Sequence, residues 1–143
     1  MEKGGVQMTE NHRYRVDGRN VCTFSSEQML TGIERADVLY ARFCKAAERH
    51  ARETVTPYAA KLYEDDPDPK KRFRYTPTVC VCSVRITSAS EELLCIEGEY
   101  RVGERSVSRF THVWDRETGL ILPPRRTTRA KGRKIRNFRG LFR

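Results

Sequence analysis

The chain has 143 residues, 38% of them hydrophobic, with 28 Lys and Arg against 19 Asp and Glu. That is enough for one modest core in one domain, and no segment comes near the roughly 20 apolar residues of a membrane-spanning helix. Arg125 to Arg143 hold nine Lys or Arg and no acid, which accounts for the whole net charge of +9. The body before them is neutral, so any inference from basicity toward nucleic acid or membrane rests on this C-terminal segment alone.

Residues 1–20 are polar and read as a frayed N-terminus. Met1 to Gly5 has no apolar stretch after its charges, so no signal peptide is expected and the expected location is cytoplasmic. Lys3-Gly4-Gly5, a short way upstream of Met8, points to translation from Met8. Val21-Cys22-Thr23-Phe24 has the composition of a short edge strand. Ser25 or Ser26 with Glu27-Gln28 looks like a helix N-cap with its capping-box partner. A clean apolar stripe then runs through Ile33, Ala36, Tyr40, Phe43, Ala47, Ala51 and Val55 in steps of three or four. That spacing predicts a long helix with one buried face. Pro57 has no backbone N–H, so the helix is expected to kink or restart there, with Tyr58, Ala59 and Leu62 continuing the stripe. Four acids and two prolines in 64–69 end it in a loop.

The period then changes from 3.6 to 2. In 78–87, Cys80, Cys82, Val84 and Ile86 share one face of a strand. Leu94, Ile96, Gly98, Tyr100 and Val102 do the same in 93–102. Gly103-Glu104 suits a tight hairpin into a third strand, 106–115, with Phe110 and Trp114 on one face. Asp115 to Gly119 is a turn into a short strand, Leu120-Ile121-Leu122. The expected fold is α+β: one long helix packed on a three- to four-stranded antiparallel meander. The expected organisation is a flexible N-terminus over 1–24, a single α+β domain over 25–124, and a basic tail over 125–143.

The helix from Ile33, the strand Val79–Ile86, the segment Leu93–Tyr100 and the ending Trp114-Asp115-Arg116-Glu117-Thr118-Gly119-Leu120-Ile121-Leu122 resemble a bacterial cell-envelope domain. It occurs in the extracytoplasmic part of a lysozyme-sensing anti-sigma factor and beside a peptidoglycan deacetylase domain. The resemblance covers about residues 28–122, and the Asp-x-x-Thr-Gly turn is its most local element. It implies the fold and a sensing or binding role. It assigns no lysozyme-binding residue, and where that family often has a Gly-Gly-rich stretch this chain has Arg101-Val102-Gly103-Glu104-Arg105.

Candidate chemistry is sparse. Five cysteines stand at 22, 44, 80, 82 and 95, an odd number without a C-x-x-C. Cys80 and Cys82 point to one face of a strand, whereas a tetrahedral zinc site needs two further ligands. Buried thiols acting as small hydrophobes are the reading, with no metal and no cofactor expected. His50 lies six residues from Cys44 and faces elsewhere, so no Cys–His nucleophile is expected and the protein reads as a non-enzyme. The acids of 64–68 lack the pattern of a calcium loop.

The tail carries the strongest signal. Arg125, Arg126, Arg129, Lys131, Arg133, Lys134, Arg136 and Arg139 are candidate polyanion contacts, with Ile135, Phe138 and Phe142 on one helical face among them. Such a segment suits RNA, DNA or an anionic membrane surface. The reading is a binding protein whose partner is another protein or a polyanion. The alternative is a nucleic-acid-associated protein that contacts phosphates through the tail and 70–74. Val79, Val81, Leu93, Val107 and Val113 make the second sheet face apolar enough for a homodimer or a docked N-terminal segment.

The stripe places Tyr40 and Phe43 in the core. Tyr40→Ala and Phe43→Ala are each expected to cost about 3–5 kcal/mol, read from denaturation midpoints. Wild-type-like melting of both would remove the helix from the core.

Overall fold

The computed structural model describes residues 7–65 and 76–123. They form β1 (Gln7–Val16), β2 (Arg19–Met29), α1 (Glu34–His50), a π-helical turn (Ala51–Val55), α2 (Thr56–Asp65), β3 (Thr78–Ala89), β4 (Leu93–Val102), β5 (Arg105–Asp115) and β6 (Leu120–Ile121). The strands make one six-stranded sheet in sequence order. Every neighbouring pair is antiparallel except β2 and β3, which run parallel. A parallel pair needs a long crossover, and the helix supplies it.

This corrects the expected three- to four-stranded antiparallel meander. The sheet is mixed, because residues assigned to a frayed terminus and to a helix cap are two full strands. Ser25 and Ser26 lie inside β2, so the boundary expected between residues 24 and 25 falls within a strand. Cys22, Phe24, Ser26 and Gln28 alternate inward with period 2 and are all buried. The capping-box pattern is a short-range signal; ladders on both sides of β2 override it. β1 alternates only at its end, through half-buried Tyr14 and Val16, which hides it, but Asp17-Gly18 is a two-residue hairpin signal. Asp17 and Gly18 have φ of 52° and 79°, both in the left-handed region that such a turn requires.

The helix starts at Glu34 without a side-chain cap at Ile33, and Asp37 instead holds the segment that leads into it. The Asp37 carboxylate accepts from the Thr31 backbone N–H and hydroxyl, both at 2.8 Å, and the Thr31 hydroxyl accepts from the Ile33 N–H at 3.0 Å. Ala36, Tyr40, Phe43, Ala47, Ala51 and Val55 are buried against the sheet. The helix does not end at Pro57. Its missing donor and its ring are accommodated by the preceding π-helical turn, in which Thr56 bonds to the Ala51 carbonyl instead of one residue later. The Thr56 hydroxyl donates to the same oxygen at 2.8 Å. The extra residue turns the following helix by roughly 100°. That is why Ala59 and Ala60 are buried while Tyr58 and Leu62, expected on the stripe, are exposed.

The centre of the core is aromatic. Gly98 of β4 stands opposite Phe110 of β5. A β-carbon at Gly98 would lie 2.2 Å from Phe110 Cζ, so the glycine lets the ring lie on the β4 backbone. Tyr40 stacks on Phe110 at 5.2 Å between centroids, and Phe43 meets it edge-on at 4.9 Å. Trp114 Nε1 donates to Tyr40 Oη at 2.7 Å, and Tyr40 Oη and His112 Nδ1 share a further bond of 2.7 Å. Burial pushes His112 down to about 4, so its ring is neutral in the folded protein.

Gly98→Ala is expected to destabilise by about 1–3 kcal/mol because Phe110 must move. An unchanged denaturation midpoint would show that the ring yields freely. His112 sets a pH dependence. Unfolded, it protonates near the ordinary 6.5; folded, only near 4. Stability is therefore full above pH 6.5 and falls as pH drops from 6.5 toward 4, by up to about 3 kcal/mol. His50, also lowered by burial, adds a loss of the same sign. Urea midpoints across this window check the slope, which His112→Gln should flatten.

Candidate functional site

The candidate contacts Arg125, Arg126, Arg129, Lys131, Arg133, Lys134, Arg136 and Arg139 lie outside the described residues, as do 70–74. Three features of the described residues remain: the face of the sheet opposite the helix, a group of thiols under the π-helical turn, and a polar cluster on β1.

Among the described residues no element packs on the sheet face opposite the helix. Strand alternation puts Thr23, Ser25 and Glu27 of β2 there, with Val79, Val81, Ser83 and Arg85 of β3 beside them. Val79 and Val81 are 50% and 39% exposed, and Leu93 and Val107 are exposed as well. Val113 is half-buried. Charges of opposite sign sit across from one another: Glu99 faces Arg109, and Arg85 reaches Glu97 at 3.3 Å. The surface is thus a small apolar strip in a lattice of paired charges. Such exposed pairs contribute little to stability.

On the covered face, four of the five cysteines pair up by sulfur. Cys22 Sγ and Cys80 Sγ are 3.8 Å apart, and Cys82 Sγ donates to Cys44 Sγ at 3.7 Å. Cys22 also donates toward the Ala51 carbonyl, the oxygen that already accepts from the Thr56 N–H and hydroxyl. Tyr100 lies against Cys80, and its hydroxyl shares a 2.9 Å bond with His50 Nδ1. Within the first pair, the hydrogen bond with Cys80 lowers Cys22 against burial, while Cys22 and burial push Cys80 far up. Pairing with Cys44, then burial, pushes Cys82 up. Cys44 therefore meets a thiol rather than His50. Neither pair was legible in the sequence, because separations of 58 and 38 residues encode no contact without the topology. Among the described residues no group of three or more His, Cys, Asp or Glu is placed to hold a metal ion.

On the helix side of β1, Tyr14 donates to Glu48, which also accepts from Arg52 Nε at 3.1 Å. Burial opposes the Glu48 charge, but these two donors outweigh it and hold the carboxyl below its usual range. His12 stacks on Tyr14 at 5.9 Å. This cluster ties the outer strand to the helix. A cleft of about 220 Å³ opens where the β1–β2 turn meets α2, lined by Val16, Asp17, Arg19, Val21, Ala60, Tyr63 and Glu64. That is smaller than the roughly 300–1,000 Å³ typical of small-molecule pockets. At the other end of the sheet, Asp115 Oδ1 accepts from the Glu117 and Thr118 N–H groups. The Asp-x-x-Thr-Gly segment thus closes the β5–β6 turn.

None of the described helices is long and apolar enough to cross a membrane. No family model and no curated protein matches the sequence. Among solved structures, the chain is similar to a DUF3298 family protein from Pseudomonas aeruginosa, with a TM-score of 0.47 and 12% identity over 82% of this chain and 53% of that one. The chain spans about half the length of that protein.

Proposed function

We propose that this chain is a non-enzymatic binding module that recognises a protein through the uncovered face of its sheet. The observation that carries the reading is the position of Val79 and Val81. They sit next but one to each other on a strand inside the sheet, exposed on the face away from the helix. Apolar side chains held on a rigid sheet and rimmed by charge are the composition of an interaction surface. The paired charges around them favour one docking register over others. The sequence resemblance to an envelope-sensing domain belongs to the same reading, a surface that recognises a macromolecule, and it names no ligand. The alternative, phosphate contact through the tail, is supported by nine basic residues without an acid over 125–143.

The test is sedimentation of the full chain, alone and with RNA, over a salt series, beside the variant Val79→Glu/Val81→Glu. A second copy of the chain is the partner tested first. The expected result is an assembly that persists at high salt and is lost in the variant at unchanged melting temperature. RNA binding that weakens steeply with salt, and that the variant leaves intact, would move the function to the tail. A monomer that binds no RNA in either form would overturn the self-docking arm.

A further inference from the structure

We infer that Cys44 and Cys82 are a disulfide-forming pair, an oxidative modification site that clamps α1 to β3. The inference rests on position, accessibility and the contrast with the other cysteines. The two sulfurs are 3.7 Å apart across the helix–sheet interface, already in contact. Cys44 is half-buried on α1 and offers a route to solvent, whereas Cys82 is fully buried beneath it. Cys22 and Cys80 are as close to each other, at 3.8 Å, but both are fully buried. Cys22 is also bonded to the Ala51 carbonyl. Cys95 lies on the opposite face of the sheet, across from Val113. One pair of the four thiols under the helix is therefore both pre-paired and reachable.

The oxidant is a peroxide. The Cys44 sulfur attacks a peroxide oxygen, the O–O bond breaks, and Cys44 becomes a sulfenic acid as water leaves. The Cys82 sulfur then attacks the Cys44 sulfur. The S–O bond breaks, the S–S bond forms, and the hydroxyl leaves as water with the Cys82 proton. Two thiols lose two electrons in all, and one peroxide becomes two waters. Cys82 already donates its S–H to Cys44. The proton that must leave is thus aimed at the atom that will carry the departing hydroxyl.

The experiment treats the folded full chain with hydrogen peroxide, blocks remaining thiols, digests without reductant and maps the peptides by mass. The expected product is a linked Cys44–Cys82 peptide that reductant removes, with Cys22 and Cys80 still reduced. The denaturation midpoint should rise on oxidation and return on reduction. In Cys82→Ala the Cys44 sulfenic acid loses its resolving partner, so trapping by dimedone should increase several-fold over wild type. Cys44→Ser, at a partly exposed position, should keep the fold and abolish the link. Three results would overturn the assignment: equal dimedone trapping in wild type and Cys82→Ala, a Cys22–Cys80 link that forms first, or no oxidation of Cys44 under conditions that oxidise exposed methionines.

Discussion

Phe110 sets the tip of its ring over the backbone of β4 because Gly98, directly opposite, has no side chain. The position of the helix follows from that contact. With the ring down, its upper face is open to Tyr40 and its edge to Phe43, so two residues one turn apart on α1 dock on one aromatic surface. Tyr40 in turn places its hydroxyl between Trp114 Nε1 and His112 Nδ1, satisfying polar groups that would otherwise be costly to bury. A side chain at Gly98 would force the Phe110 ring to shift and disturb its contacts with Tyr40 and Phe43.

The second constraint is Pro57. A proline in the middle of a helix removes one backbone bond and collides with the preceding turn. Here the strain is taken up by a wider turn, and the consequences spread. The Ala51 carbonyl, freed from its usual partner, gathers the Thr56 N–H, the Thr56 hydroxyl and the Cys22 thiol. The rotation after the turn brings Ala59 and Ala60 inward, and these small residues let α2 lie close to β1 and β2. Tyr58 and Leu62 are left on the outside as a result.

The two sheet faces divide the roles of the molecule. The covered face holds the aromatic stack, the thiol pairs and half-buried His112, bonded to Tyr40. The opposite face carries Val79, Val81 and paired charges, with their partners on neighbouring strands and their apolar atoms in solvent.

Much of the helix and of β3, β4 and β5 was legible because their signals are periodic. Tyr40, Phe43 and Ala47 repeat at helical spacing, and Cys80, Cys82 and Val84 alternate. Burial on one side of an element writes itself into the sequence in this way. The valines of the open face were legible for the same reason. β1 was not, because only Tyr14 and Val16 at its end turn apolar atoms toward the core and its pairing comes from β2. The N-terminal half of β2 read as a strand, but its C-terminal half read as a helix cap, because Ser-x-x-Gln carries that local meaning until two neighbouring strands impose another. The sequence by itself determined which faces are apolar and where the chain turns. Only the tertiary structure decided that β2 and β3 lie side by side, and hence which thiols touch. The contact between residues 58 apart follows from how strands are ordered in the sheet, the one between residues 38 apart from where α1 lies on it, and no local pattern encodes either.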